Sequence, residues 1–82
     1  MSEQDLRQRA HDVEVTVWVG KGGLDPVVEE LSDQLQERDL VKAKFLRAAR
    51  GGTTTEELAE DLAERVNGDV IETRGHTAVF HR

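Results

Sequence analysis

The stretch VWVGKGGLDP, residues 17–26, decides the fold, because an alternating strand runs there directly into a glycine-rich turn and a helix start. We predict Asp25 as the helix N-cap and Pro26 as the first helical residue, where the fixed φ of proline suits a helix. Gly20 and Gly23 form a Gly-x-x-Gly turn, in which the missing Cβ lets another backbone approach closely. Free amide groups at the helix start lie behind this turn and favour an anion.

Hydrophobic periodicity on both sides of this stretch predicts the element order α-β-α-β-α-β-β. Residues 13–19 alternate strictly, with four valines on one face and Trp18 on the other. Apolar residues at helical spacing predict a helix over 26–38, and the capping box Thr54-x-x-Glu57 predicts another that ends at Asn67-Gly68. The remaining predicted elements are a short helix over 4–11, a strand over 40–46, a loop over 47–52, and strands over 70–74 and 77–81 joined by a turn at Gly75-His76.

The lengths of the connections predict the topology. Strand–helix–strand units of this size imply parallel neighbours joined by right-handed crossovers, and the last two strands must form an antiparallel hairpin. The expected fold class is therefore α/β, in an α+β two-layer form with a four-stranded mixed sheet. We expect the two long helices on one face of this sheet and the short N-terminal helix on the other face or at an edge. Residues 1–82 are expected to form a single domain.

The residue types that catalysis, metal binding and membrane insertion require are missing or wrongly spaced. The sequence has no cysteine, and its three histidines fit no metal-ligand spacing. No serine or threonine lies in a triad context, and the glycine turn lacks the Walker pattern. No apolar stretch approaches membrane-spanning length, and the N-terminus lacks the features of a signal peptide. We therefore predict a cytoplasmic protein that is not an enzyme and has no metal or cofactor.

The charges are unevenly distributed along the chain. The 17 acidic and 11 basic residues give a net charge of −6, but residues 25–39 and 53–66 hold most of the acids and one base each. Residues 40–55 carry four bases and no acid. The two long helices are therefore acidic and the remainder of the chain is basic. We expect the basic remainder to occupy the side of the sheet opposite the acidic helices.

The acidic residues also suggest the ionic conditions in which the protein works. Glu29, Asp33 and Glu37 recur every four residues, so their charges repel one another at low salt if the segment is helical. At molar ionic strength the Debye length is only about 3 Å, and the repulsion is screened. We hypothesise a halophilic protein that works in a cytoplasm of high salt concentration. The alternative explanation of the acidic stripe is an ordinary acidic domain.

Three blocks of the sequence together resemble the CRM domain (chloroplast RNA splicing and ribosome maturation), in its stand-alone YhbY-like form. The first block joins LRQRAHD, residues 6–12, to VWVGKGGL, residues 17–24. It is similar to the family's basic helix and its strand ending in Gly-Lys-x-Gly-Leu/Ile. The second block, LVKAKF over 40–45, is similar to the family's Leu-Ile/Val-Lys-Val-Lys strand. The third, GHTAVFHR over 75–82, is similar to its closing Gly-Lys/Arg-x-x-Val-Leu-Tyr-Arg.

The resemblance implies a fold similar to the C-terminal domain of bacterial translation initiation factor three. It also implies RNA binding and association with ribosomal RNA in precursors of the large ribosomal subunit. The chain departs from the family at His76, where a basic residue is usual, at His81, where a tyrosine is usual, and in its acidic net charge. We expect a monomer that binds RNA and does not bind membranes.

The candidate RNA-binding residues combine the glycine turn with basic side chains. A Gly-x-x-Gly loop grips the nucleic-acid backbone in KH modules, and a lysine at its tip can contact a phosphate as a point charge. The alternative for each basic residue is a solvated surface charge. The candidates are Gly20, Lys21, Gly22, Gly23, Lys42, Lys44, Arg47, Arg7, Arg9 and Arg74.

Two alternatives remain open at this stage. Trp18 could stack on a base, but we expect it to pack under the N-terminal helix near Leu6 and Ala10. At the level of function, the alternative to RNA binding is a protein–protein module whose acidic helices dock a basic ribosomal protein or assembly factor. Replacing Lys42 and Lys44 by glutamate discriminates the two, because only RNA binding requires these lysines. A phosphate-binding site for a small ligand at the glycine turn lacks a second motif.

Overall fold

The predicted order of elements is confirmed, with small shifts in their ends. The computed structural model describes residues 3–82, except for the side chains of Glu3, Gln4 and Leu6. None of the described helices is long and apolar enough to cross a membrane. The elements are α1 (Glu3–Ala10), β1 (Val15–Val19), α2 (Asp25–Glu37), β2 (Val41–Phe45), a 3₁₀ turn (Arg47–Ala49), α3 (Thr55–Arg65), β3 (Asp69–Arg74) and β4 (Thr77–His81).

The four strands form one mixed sheet in the order β1-β2-β4-β3. β1 and β2 are parallel neighbours, as the crossover argument predicts. The same prediction is wrong for β2 and β3, because β4 lies between them and pairs antiparallel with both. The β3–β4 hairpin turns at Gly75 and His76, and Gly75 has a φ of 58°. A glycine with positive φ at this first turn position is typical of the tight turns that match the twist of a hairpin.

The two faces of the sheet are covered unequally. The main core lies between the sheet and the helices α2 and α3, and it contains Phe45, Phe80, Leu31 and Leu62, all fully buried. The second face carries a smaller apolar cluster of Ala10, Leu40 and Val79, against which the partly buried Val13 and Ile71 pack. This arrangement confirms that the acidic helices share one face and that the N-terminal helix lies on the other.

Helix α1 covers only part of the second face. It packs mainly against β3, at one edge of the sheet, and its end buries Ala10 against Leu40 and Val79. Polar contacts hold the same region: His11 Nε2 lies 3.5 Å from a Glu72 carboxylate oxygen. The part of this face formed by β1 and the carboxyl end of β2 lies outside that apolar cluster. We call this part the open face.

The first strand does not alternate as predicted. The strand begins at Val15 and not at residue 13, and a register irregularity between Val15 and Val17 acts as a β-bulge. Because an extra residue in one strand reverses the facing of the side chains beyond it, the valines do not share one face. Val13 packs in the smaller cluster, whereas Val17 is in the main core. The Thr16 hydroxyl donates to Gln34 Oε1 of α2 at 2.6 Å.

The start of α2 also differs from the prediction. The N-cap is Leu24, and Asp25 is the first residue of the helix, so the assignment of Asp25 as the cap was wrong. Pro26 is the second helical residue and not the first, one position later than predicted. The Asp25 carboxylate instead accepts a hydrogen bond from Arg65 of α3. Arg65 also donates to Asp61 at 3.2 Å, and the hydrogen bonds to Asp61 and Asp25 raise the pKa of the guanidinium. The side chain of Asp25 therefore links two helices and does not cap one.

Both ends of α3 agree with the prediction. The Thr54 hydroxyl accepts a hydrogen bond from the Glu57 amide at 3.2 Å, which satisfies a free donor at the helix start. After the helix, Asn67 has a φ of 57°, and the Gly68 amide donates to the Ala63 carbonyl at 2.8 Å. This bond pattern around a left-handed residue is a Schellman motif, which ends the helix at the predicted place.

Candidate nucleic-acid interface

Four side chains, one from each strand, form a line across the sheet. Trp18 lies opposite Lys44 in the β1–β2 register, Lys44 lies opposite Thr77 of β4, and Thr77 lies opposite Arg74 of β3. Paired residues on neighbouring strands project from the same face of a sheet. Because Ala43 and Phe45 on either side of Lys44 are buried in the main core, this line projects from the opposite face. We call these four residues the cross-strand row.

The three turns nearest the row meet at one edge of the sheet. The Leu46 amide donates to the Val19 carbonyl at 2.8 Å, which brings the chain after β2 beside the end of β1. The Phe45 amide donates to the His76 carbonyl at 2.7 Å, which places the hairpin turn against the same end of β2. The glycine turn after β1, the 3₁₀ turn and the hairpin turn therefore lie together. We call this edge the carboxyl edge.

The glycine turn is closed by a backbone hydrogen bond and presents Lys21 at its tip. The Gly23 amide donates to the Gly20 carbonyl at 3.0 Å. Gly23 has a φ of 76°, a backbone conformation that residues with a Cβ rarely adopt. A Cβ on Gly22 would lie 3.1 Å from Cγ of Pro26, so this position is also tight. The turn shape thus depends on Gly22 and Gly23, and Lys21, which lies between Gly20 and Gly22, is exposed.

Substitution of Gly23 by alanine should therefore destabilise the protein. The positive φ costs an alanine about 1–2 kcal/mol, whatever space surrounds it. The matched control is Gly51→Ala, because a Cβ at Gly51 meets nothing within 4 Å and its φ lies outside the left-handed region. Urea unfolding of both variants measures the difference. Equal unfolding midpoints for the two variants would show that the turn relaxes without strain.

Several of the basic side chains are engaged in holding the fold. Arg65 binds Asp61 and Asp25, and Arg9 lies 3.4 Å from Asp39, just before β2.

Two further arginines bind neutral oxygen atoms of the fold. Arg50 Nε donates to the Phe45 carbonyl at 3.0 Å. Arg82 donates to the Val66 carbonyl at 2.7 and 3.1 Å and to the Ser32 hydroxyl at 2.7 Å, so it joins the end of α3 to α2.

Four further basic side chains make no ion pair with the residues whose side chains the structure describes. Lys21, Lys44, Arg47 and Arg74 are exposed, and all four lie in the cross-strand row or at the carboxyl edge. Lys42 is half-buried on the same face, opposite Val79, so its stem contributes to packing. The structure thus brings these five predicted site residues together with the glycine turn.

Two predicted residues lie elsewhere. Arg7 and Arg9 are exposed on α1, which packs against the β3 side of the sheet, and Arg9 contacts Asp39 near the amino end of β2. Arg38, at the end of α2, is a further exposed arginine near that end. These arginines belong to a different region of the surface from the carboxyl edge.

The expected packing of Trp18 under the N-terminal helix is wrong. The side chain is 55 % exposed, because α1 packs against β3 and Trp18 lies on β1, at the other edge of the sheet. The proposed neighbour Ala10 is buried in the small cluster with Leu40 and Val79, and the side chain of Leu6 lies outside the described residues. Trp18 is absent from the predicted site residues, because its exposure depends on the order of the strands in the sheet.

The acidic side chains of α2 and α3 are exposed on the helix side of the sheet. Glu29, Asp33 and Glu37 of α2 and Glu56, Glu60 and Glu64 of α3 each follow the four-residue spacing. In the described part of the chain, no three His, Asp or Glu side chains are placed to hold a metal ion. The molecule therefore has an acidic helix side and an opposite face whose exposed charges at the carboxyl edge are basic. Such a face suits a polyanion.

Comparison with known proteins identifies the family. Residues 2–82 match the model of the CRS1/YhbY (CRM) domain, so the chain belongs to this family, as its sequence blocks indicate. It is 40% identical over 77 residues to a protein of Methanocaldococcus jannaschii named "Probable RNA-binding protein". That match covers 94% of this chain and 58% of the relative, so the chain spans little more than half of the relative's length.

A solved structure shows the same fold. The solution structure of a hypothetical protein from Staphylococcus aureus, described as a candidate RNA-binding protein, superposes with a TM-score of 0.79. The two sequences are 28% identical, and the match covers 98% of this chain and 82% of the other. The three-helix, four-stranded architecture is therefore a YhbY-like fold.

Proposed function

We propose that this protein binds RNA through the cross-strand row and the carboxyl edge. The observation that carries the proposal is the sorting of its basic side chains. Those that hold the fold together are paired, whereas Lys21, Lys44, Arg47 and Arg74 point to solvent around one edge. The names of the relatives, which describe RNA-binding proteins, support the choice of RNA among polyanions.

We propose a role for each part of this interface. Lys21 contacts a phosphate from the tip of the glycine turn, while the backbone of the turn allows the strand to approach closely. Lys44 and Arg74 contact phosphates from the sheet, on either side of Thr77. The Thr77 hydroxyl donates to the Arg74 carbonyl at 2.8 Å and so fixes the end of β3 against β4. Arg47 adds a charge from the 3₁₀ turn.

We further propose ribosomal RNA in precursors of the large subunit as the target, with assistance to subunit assembly as the role. The support is that the chain belongs to the CRS1/YhbY (CRM) family, since the resemblance of its sequence to that family implies this target. We propose that the protein acts as a monomer in the cytoplasm and does not act as an enzyme. Its acidic helices lie away from the interface, where their charge discourages non-specific coating of RNA.

Crosslinking in the native host at native salt tests this target. The crosslinked RNA is sequenced, and the protein is followed on a sedimentation gradient. We expect enrichment of large-subunit ribosomal RNA in fractions that contain subunit precursors. Crosslinks to RNA of another class would retain RNA binding and reject the ribosomal target, and a protein that sediments freely without RNA would reject both.

The acidic helices support one alternative function, a module that docks a basic protein. The exposed stripes on α2 and α3 would supply its contacts, and the open face would be unused. Replacement of Lys42 and Lys44 by glutamate separates the alternatives. Binding of a basic protein through the helices should survive this change, whereas RNA binding should be lost. Because Lys42 is half-buried, Arg74 is the better second position for the experiment.

We also propose that the stability of the protein rises with salt. Asp33 lies between Glu29 and Glu37 on the exposed side of α2, and each like-charge pair at this spacing costs roughly 0.2–0.5 kcal/mol at low salt. Asp33→Asn should therefore raise the low-salt melting temperature by about 2–5 °C and make the salt dependence weaker. Asp69→Asn, which removes the same charge outside the stripe, is the control. A melting temperature that falls as potassium chloride rises would contradict the proposal.

A further inference from the structure

We propose that Trp18 and Leu46 form a platform on which unpaired nucleobases stack, so that the interface takes single-stranded or looped RNA in preference to an uninterrupted duplex. This inference rests on the proposed RNA-binding function and names the form of RNA that it recognises. It concerns two side chains that the charge pattern alone does not explain.

The two side chains are unusual in their exposure. Among the side chains that the structure describes, Trp18, at 55 %, and Leu46, at 39 %, are the exposed large hydrophobic residues. The other large apolar residues of the sheet, such as Phe45 and Phe80, are fully buried. Single exposed apolar residues are common on protein surfaces, whereas two on one face of a sheet can together form part of a contact site.

The strand register places Trp18 and Leu46 on the same face. Trp18 lies opposite Lys44, and the extended backbone of Leu46 continues the alternation of β2, so Leu46 projects from the same face as Lys44. Diagonal neighbours at this spacing are within reach of an aromatic side chain. Cδ1 of Leu46 lies 3.7 Å from the position that a Cβ on Gly20 would occupy, so Leu46 lies over the start of the glycine turn.

Basic residues surround this apolar pair. Lys44 is directly across from Trp18, Arg47 follows Leu46 in the chain, and Lys21 is one residue beyond Gly20. A purely apolar partner surface would have to remove these charges from water without compensation. RNA supplies both kinds of contact, since its bases have apolar faces and its phosphates are anionic. Stacking on an aromatic side chain beside a cationic groove is the usual physics of single-strand binding.

Unpaired bases fit the Trp18 platform better than paired ones. In a continuous duplex the faces of the bases are covered by their neighbours, and the phosphates are the groups that a lysine can reach. Bases in loops, bulges and single strands can be splayed out and stacked on an aromatic ring. A platform with Trp18 at its centre therefore adds affinity only for RNA that has such bases.

The fluorescence of Trp18 tests the inference directly, because the chain has one tryptophan and no tyrosine. The wild-type protein is titrated with a short single-stranded RNA, a hairpin that carries the same bases in its loop, and a blunt duplex. We expect quenching by the first two RNAs and little change with the duplex. In parallel, the anisotropy of labelled RNA measures binding independently of Trp18.

Two variants separate stacking from general packing. Trp18→Ala should weaken binding of the single-stranded RNA by about tenfold, whereas Trp18→Phe, which retains an aromatic face, should keep most of the affinity. Duplex binding should be equal in the wild type and both variants. Circular dichroism checks that each variant is folded, and the quenching experiment needs no variant at all.

The outcomes distinguish this inference from the proposed function. If labelled RNA binds but causes no quenching and Trp18→Ala binds equally well, the platform is wrong and RNA binding stands. If none of the RNAs binds, the proposed function itself fails. If Trp18 fluorescence depends on protein concentration without RNA and sedimentation shows a dimer, a second copy of the chain covers the platform, which also overturns the inference.

Discussion

Replacement of both Lys44 and Arg74 by glutamate is expected to weaken RNA binding by about 100-fold. The two residues lie on either side of Thr77 in the cross-strand row, and both are exposed. A hydrogen bond to a charged group contributes roughly 1.5 kcal/mol or more, so the loss of two phosphate contacts gives about 3 kcal/mol, or two factors of ten. Repulsion between the new carboxylates and the phosphates adds to this loss. Titration of labelled single-stranded RNA at fixed salt measures the effect.

The control for this experiment must separate the location of a charge from its amount. Arg38→Glu makes the same charge change as a single Lys44→Glu substitution, but it lies at the end of α2, away from the carboxyl edge. Lys44→Glu should weaken binding by about tenfold, and Arg38→Glu should have little effect. Equal losses for the two single variants would mean that RNA responds to the net charge of the protein and not to the row.

Salt titrations give a second view of the same contacts. Each phosphate that a cation neutralises contributes a slope of about −0.7 to the plot of log affinity against log salt for single strands. Loss of the Lys44 contact should therefore make the slope shallower by roughly that amount. Four exposed cations give only a modest slope in the wild type, which suits binding at high salt. A steep slope in the wild type would indicate many more phosphate contacts than the interface provides.

The order of elements could be predicted from the sequence because each signal is local. The helical spacing of apolar residues in α2, the Thr54 cap and the Asn67-Gly68 stop act within a few residues of the chain. The bulge in β1 could not be predicted, since a run of alternating valines fits a regular strand equally well. It arises from tertiary contacts: Thr16 binds Gln34 of α2, and Val13 packs with Leu40 and Val79.

The candidate site could be predicted in part. The glycine turn and the lysines of β2 are visible in sequence blocks, but which arginines are engaged depends on distant partners. Arg65 donates a hydrogen bond to Asp25, which is 40 residues away in the sequence, and Arg82 donates one to Ser32, which is 50 residues away. The exposure of Trp18 likewise depends on the order of strands in the sheet, which puts α1 over β3 and leaves β1 at the far edge. No local pattern carries that information.

Truncation of Phe80 to alanine is expected to destabilise the protein by about 3–5 kcal/mol. Phe80 is fully buried in the main core, and its strand β4 lies inside the sheet, where Phe80 is paired with Val41 on one side and Val70 on the other. Removal of the ring leaves a cavity between the sheet and the helices, which the close-packed surroundings fill only partly. Since small domains have a total stability of roughly 5–15 kcal/mol, this loss is a large fraction of it.

Leu46→Ala is the matched control for Phe80→Ala, because it truncates a large apolar side chain that is partly exposed on the open face. The loss in the free energy of unfolding should be well under half that of Phe80→Ala, because folding removes less of the apolar area of Leu46 from water. Urea unfolding at one fixed salt concentration compares the two variants, and similar losses would contradict the assignment of Leu46 to the surface. The contrast has a functional meaning: a residue that costs little stability but remains large, apolar and exposed beside Trp18 is better explained by what it binds than by what it packs against.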